Sequence, residues 1–288
     1  MKKVLIGCAV VSAIVVVVVI GVSAYFVSWF KKAAPDKDHL ESVRTELVQN
    51  YGERDDYTPP LDGHLDAGRI ALFIEIREDL VLTRVEIASQ LDEFLDMMKD
   101  DKERERNLFE KAVHGIQMLK GGAGLVTQGL TYLGARSEKL LEVGMGEGEY
   151  FHYYALMAFS WLEWQPLDKL DRSVLKDLDM ESDIEEMVDE YRRIFERQLR
   201  NQRDALQALE SRTPDQERAL EQVEVGLSAD RGRFPYQGQL PTEWIEIFEP
   251  YRYRFVDTLP STAAEMLLDA ISLLDDSKDN GVQVNFER

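Results

Sequence analysis

Residues 146–164 read GEGEYFHYYALMAFSWLEW, with seven aromatic side chains in nineteen positions. Three readings compete for such a stretch: a membrane-spanning segment, the wall of a ligand pocket, or the centre of a helical core. Between Glu149 and Glu163 the uncharged run is thirteen residues, well short of the ~20 that a spanning helix needs. Tyr150, Tyr153, Tyr154, Met157, Trp161 and Trp164 recur at threes and fours, while Phe151, Ala155, Ala158, Phe159 and Leu162 fill the other side. A helix apolar all round is a central helix. The stretch therefore predicts a helix packed by others on every side and ended by Pro166. Tyrosine and tryptophan carry a polar tip, so the same residues also suit a ligand cleft.

Outward from this helix, the chain reads as further helices. His39 to Tyr51 places Leu40, Val43, Leu47 and Val48 at helical spacing and stops at Gly52. Residues 52–64, GERDDYTPPLDGH, read as a loop, and Asp66 offers an N-cap for the next helix. From Ile70 to Met98 apolar residues recur at 70, 73, 74, 80, 81, 87, 88, 91, 94, 95 and 98, the pattern of a long helix with one broad buried stripe. A helix over about Leu108 to Val143 carries Gly115, Gly122 and Gly129 at intervals of seven. Each glycine costs a helix about 1 kcal/mol relative to alanine, so the stripe implies close approach of another backbone.

Beyond Pro166 a short connecting helix is expected over 167–180, then a long one marked by Ile184, Met187, Val188, Tyr191, Ile194, Phe195, Leu199, Leu206 and Leu209. Pro214 to Leu227 forms a shorter helix. The loop 228–241, SADRGRFPYQGQLP, leads to two last helices, about Thr242 to Val256 and Ser261 to Leu274. No segment alternates as a strand would, and no fixed repeat suggests a solenoid. The predicted fold is all-α: an irregular helical bundle over 65–274, preceded by a linker with a short helix (33–64) and followed by an acidic flexible tail (275–288).

Residues 1–32 read as an N-terminal membrane anchor. Val4 to Phe30 is a run of twenty-seven residues without a charge, flanked by Lys2 and Lys3 on one side and Lys31 and Lys32 on the other. At ~1.5 Å per residue it more than spans a hydrocarbon core of ~30 Å. Tyr25, Trp29 and Phe30 sit where interfacial aromatics are expected. Val22-Ser23-Ala24 satisfies the small-residue rule for signal-peptide cleavage, but the run is about twice the usual length of such a core and continues past that point. The stretch from Leu5 to Cys8 looks like a lipoprotein box, with too few apolar residues ahead of it to serve as an export core. Lysines on both flanks nearly cancel the positive-inside bias. The three-residue charged N-terminal tail favours an N-inside, single-pass signal-anchor with the acidic domain translocated to the extracytoplasmic side.

The chain carries 34 Lys+Arg against 54 Asp+Glu, net −20. Such a body repels phosphate backbones, so nucleic acid is not an expected partner. Its one cysteine, Cys8, lies inside the apolar segment, leaving the rest without a disulfide, a thiolate nucleophile or a cysteine metal ligand. KGGAG, residues 120–124, lacks the P-loop arrangement, and no H-E-x-x-H, C-x-x-C-H or G-x-S-x-G is present.

Arg77 and Arg84, seven apart, fall on the buried stripe of the long helix, with Glu75, Glu78 and Glu86 beside it. They read either as an anion site or as buried arginines held by carboxylates. With Tyr153, Tyr154 and Trp161 they make a candidate ligand-binding set for a small anionic, partly apolar molecule. Glu149 and His152 have the Glu-x-x-His spacing of di-iron bundles. Glu110 and His114 have the wrong spacing for the second copy, so the pair is a weak metal candidate. No motif calls for a cofactor. EPYRYRF, residues 249–255, reads as a half-exposed helix whose arginines answer excess carboxylates, and the acidic run from Asp168 to Asp183 lacks the calcium-loop pattern.

The order PLDGHL (60–65), FIEIREDL (73–80), YLGARSEKLLEVGMGEGEYFHYYAL (132–156) and YRYRFVDTLPSTAAEMLLD (251–269) resembles a pattern in bacterial exported or membrane-anchored all-helical proteins of unknown function. The resemblance implies a location in the bacterial envelope and carries no catalytic residues. The expected function is that of a membrane-tethered, non-enzymatic helical protein. It is held to the lipid bilayer through residues 4–30 and works by contact with an unidentified protein partner or within an envelope assembly. The alternatives are the anion cleft and, last, an enzyme using Glu149 and His152.

Overall fold

The computed structural model of the chain describes residues 37–103, 132–166, 181–230, 232–261 and 265, with the backbone alone at 37–38, 90–103 and 181–183. The segment 4–30, Gly115, Gly122 and Gly129, the helix expected over 167–180, most of that expected over 261–274 and the tail 275–288 lie outside the described residues. Among the described residues the fold is all-α, without a strand. No described helix is long and apolar enough to cross a membrane.

The helices are α1 (Lys37–Tyr51), α2 (Ala67–Glu103), α3 (Glu147–Ala155), α4 (Glu181–Gln207), α5 (Pro214–Leu227), α6 (Thr242–Phe248) and α7 (Arg252–Asp257). A helical stretch over 132–142 precedes α3. Their ends are set by local chemistry. Gly52, at φ +77°, closes α1 by donating its N–H to the Val48 carbonyl at 2.9 Å, a left-handed stop that glycine adopts without steric cost. Asp66 caps α2, its carboxylate accepting from the Gly68 and Arg69 amides at 2.7 and 3.3 Å. Thr213 and Gln216 form a capping box ahead of α5, with Pro214 at its first turn.

α3 lies at the centre. Every residue from Tyr150 to Ser160 is buried, as a helix apolar on all faces requires. It passes directly into a π-helical stretch, Leu156–Trp161, in which the Leu162 amide donates to the Met157 carbonyl at 3.1 Å. The wider π-turn is an uncommon one. Around α3, one core joins Leu47 of α1, Phe73, Ile74 and Ile76 of α2, Tyr191, Phe195 and Leu199 of α4, Val223 of α5, Trp244 and Phe248 of α6 and Phe255 of α7. The segment between α1 and α2 belongs to it as well: Leu65 is in the core and Arg54, in a 3-10 turn over Arg54–Asp56, is 4% exposed.

Candidate functional site

One cluster of buried and half-buried ionisable groups lies at the N-terminal turn of α3. Glu147 accepts from Arg54 Nη2 at 3.0 Å through Oε2 and from Arg136 Nη2 at 2.9 Å through Oε1. One carboxylate thus joins the turn after α1 to the helical stretch before α3. Two residues on, Glu149 takes Arg69 in a fork, Nε to Oε1 at 2.7 Å and Nη2 to Oε2 at 2.6 Å. The same guanidinium donates to the carbonyls of Val143 and Gly144. Acidic side chains in a first turn also meet the positive end of the helix dipole. Burial disfavours the charged form of Glu147, but the guanidiniums of Arg136 and Arg54 hold its pKa below the usual carboxylate value, with Arg44 of α1 adding to the effect.

The arginines also lie over rings. Arg54 sits 6.0 Å from the centroid of Phe151, Arg136 5.7 Å from Tyr150, and Arg77 4.7 Å from Tyr154. Arg136 is 3% exposed, yet its Nε and Nη1 have no hydrogen-bond partner. Gly148 explains how the turn fits: a Cβ there would stand 2.4 Å from Cβ of Tyr57 and 2.8 Å from the Arg54 carbonyl. The backbones meet with no room for a side chain.

On the next turn of α3, His152 meets an amide clip from α4. Its Nδ1 is 3.2 Å from Gln198 Oε1, and Gln198 Nε2 donates to the carbonyls of Arg54 at 2.9 Å and Gly148 at 3.0 Å. Burial pushes the His152 pKa down to about 4, against the hydrogen bond to Gln198, so the imidazole is neutral at pH 7. Burial also raises the phenols of Tyr57 and Tyr153, with Glu149 adding to both.

The residues singled out from the sequence fall into separate surroundings. Arg77 donates to Thr258 Oγ1 at 2.9 Å, to the Thr258 carbonyl at 2.8 Å and to the Tyr150 hydroxyl at 3.2 Å, and it lies over Tyr154. Arg84 reaches Glu265 at 3.6 Å. Tyr153 packs against Phe73 and His152, and Trp161 packs against Phe248 with Arg252 4.3 Å above its ring. Glu149 and His152 share one helix but turn to Arg69 and Gln198 respectively. Among the described residues no group of three His, Cys, Asp or Glu could hold a metal ion.

Sequence reasoning missed Arg54, Arg69, Arg136, Glu147 and Gln198. The available signal was GMGEGEYF itself, in which a glycine-spaced acidic pair opens an apolar helix and calls for cationic partners from elsewhere. Chemically, the arrangement joins elements. A carboxylate held low by two guanidiniums is a poor proton acceptor, and Arg136 keeps uncommitted donors. No family model matches the chain, and no curated protein or solved structure is significantly similar to it.

Proposed function

We propose that the chain is a membrane-tethered, extracytoplasmic helical protein that works by protein contact or as part of an envelope assembly, without an enzymatic step. The tether is residues 4–30, single-pass in the inner membrane with the bundle on the periplasmic side. A tether raises effective concentration at the membrane, so modest affinities suffice for a partner. The observation that carries the reading is the uncharged run from Val4 to Phe30. The interior adds support: Arg77, Arg84, Glu149 and His152 are each engaged by side chains or carbonyls of the fold, as structural joints are. Alkaline extraction of membranes tests the tether, with the full chain expected in the pellet. Crosslinking in native membranes followed by mass spectrometry tests the contact function, and failure to recover any reproducible neighbour would remove it.

A second reading, a site for a small anionic molecule, is favoured by the two unpartnered donors of Arg136. Buried donors without partners are costly, and an anion reaching them would recover that cost. A panel of carboxylates and oxyanions that leaves the melting temperature unchanged would dispose of it.

A further inference from the structure

A cavity of about 100 Å³ opens between the C-terminal end of α5 and the loop that follows it, with Ser228, Asp230, Arg233 and Tyr236 among its lining residues. Such a volume holds several waters, and so the polar end of a small organic molecule. Its inner wall is strained. Tyr236 is 2% exposed and sits at a left-handed φ of +63°, a conformation that a residue with a Cβ keeps only where its surroundings impose it. The ring lies over Gly226 of α5, where a Cβ would stand 2.6 Å from Cζ, and against Trp244 of α6, with centroids 5.1 Å apart. Packed in this way, the phenol is left with a buried hydroxyl that has no hydrogen-bond partner.

The rim of the cavity carries one charge of each sign. Asp230 and Arg233 are both exposed, and among the described residues neither takes part in an ion pair, with the other or elsewhere. The loop joins them only through its backbone, the Arg233 amide donating to the Asp230 carbonyl at 3.0 Å. Exposed arginines of α4 behave differently: Arg193 and Arg200 meet carboxylates of their own helix at 2.7 and 2.6 Å. We propose that the cavity binds a small zwitterion of the α-amino acid class, its ammonium at Asp230 and its carboxylate at Arg233. Ser228 is the C-cap of α5, so the negative end of that helix's dipole reinforces the ammonium side. A simple anion would meet Asp230 and the field of a chain of net charge −20, and a simple cation would leave Arg233 unanswered. A molecule with both charges a few bonds apart answers both. A carboxylate that reaches the Tyr236 hydroxyl would also supply the acceptor that this phenol lacks. Arg136 does not line this cavity, and the proposal needs neither the tether nor a protein partner.

The test is equilibrium dialysis of the purified full chain, in detergent, against radiolabelled L-alanine. One saturable site per chain is expected. Asp230→Asn and Arg233→Gln should each weaken binding at least tenfold. Both side chains are exposed, so each variant should melt at the temperature of the native chain, which separates a lost site from a lost fold. Unlabelled glycine should displace the label, whereas acetate and ethylamine, each with one of the two charges, should displace it at least tenfold less well. Absence of a saturable site overturns the proposal, as does binding that survives both substitutions. Acetate that displaces as well as glycine would make the cavity an anion site, and ethylamine that does so a cation site; either result also overturns it.

Discussion

At its N-terminal end the central helix is held by charge, and at its C-terminal end by rings. Glu147 and Glu149 engage Arg54, Arg136 and Arg69. Ten residues on, Phe159 stacks on Phe234 with centroids 4.2 Å apart and planes at 8°, Trp161 packs on Phe248, and Ser160 donates to the Pro235 carbonyl at 2.7 Å. The two ends do different work. Ring packing contributes through buried area and tolerates changes of shape, because dispersion and the hydrophobic effect are weakly directional. A buried carboxylate between two guanidiniums contributes little net stability over an apolar replacement, since desolvation offsets the attraction. It is intolerant of losing one member, and it fixes which backbone meets which.

The largest effect is therefore expected from the most conservative change. Glu147→Gln keeps the shape and removes the charge that Arg54 and Arg136 share. It should cost about 3–5 kcal/mol, the range for breaking a buried pair, read from denaturant midpoints of the purified chain. Adding Arg136→Met should return part of that loss, since it removes one stranded cation. Phe159→Ala should cost a similar 3–5 kcal/mol through the cavity it leaves, but Phe159→Leu should cost only about 1–2 kcal/mol because the space stays largely filled. If Glu147→Gln proved as mild as Phe159→Leu, the contrast between the two ends would be gone.

How much of this was legible beforehand obeys the same division. Apolar periodicity placed α1, α2 and α4 and marked α3 as central, because burial of area imposes a pattern on each helix separately, while Pro214 marked the start of α5. Gly52, Asp66 and Thr213 act locally, within a few residues, and the first two could be read as a stop and a cap. The clasp could not be read, because its partners come from positions far apart in the chain: Arg54 and Arg69 lie 93 and 80 residues from their carboxylates. No spacing rule links them. Arg77 was noticed because it interrupts an apolar stripe, whereas Arg54 sits in a loop sequence where an arginine draws no attention. Gln198 was hidden for a related reason, since a polar residue on a charged helix looks solvated until the Arg54 and Gly148 carbonyls that it serves are placed beside it.

His152 offers a pH-dependent way to sharpen the comparison. Its folded pKa of about 4 lies below the usual 6.5, so the unfolded chain takes up its proton first as pH falls. Stability should decline from about pH 6.5 to about pH 4 and then cease to depend on this group, a total on the order of 3 kcal/mol. The Glu147 contribution is present above the unfolded carboxylate pKa and is lost only as pH falls through its lowered folded value. Its window therefore opens where that of His152 is closing. His152→Gln should flatten the upper part of the stability curve measured between pH 7 and pH 4.5 and leave the more acidic part in place. A curve unchanged by the substitution would mean that the imidazole is not buried neutral.

The smallest effect is expected where charge appears at the ring-built end. Arg252 lies 4.3 Å above Trp161 and is tied to Glu249 by three hydrogen bonds, so by partner list it rivals Arg69. Its side chain is 38% exposed and that of Glu249 56%, and water screens such a pair until it adds almost nothing to stability. The cation–π contact adds about 0.5–1 kcal/mol at an exposed site. Arg252→Gln should accordingly cost no more than about 1 kcal/mol, a small fraction of the Glu147→Gln effect, with a change in tryptophan emission as the sign that the guanidinium has left the ring. The Arg69 and Arg252 contacts differ most in the exposure of their carboxylates, 16% for Glu149 against 56% for Glu249. A loss above about 2 kcal/mol at Arg252 would show that charge holds both ends of the helix, and that solvent access does not set the weight of each contact.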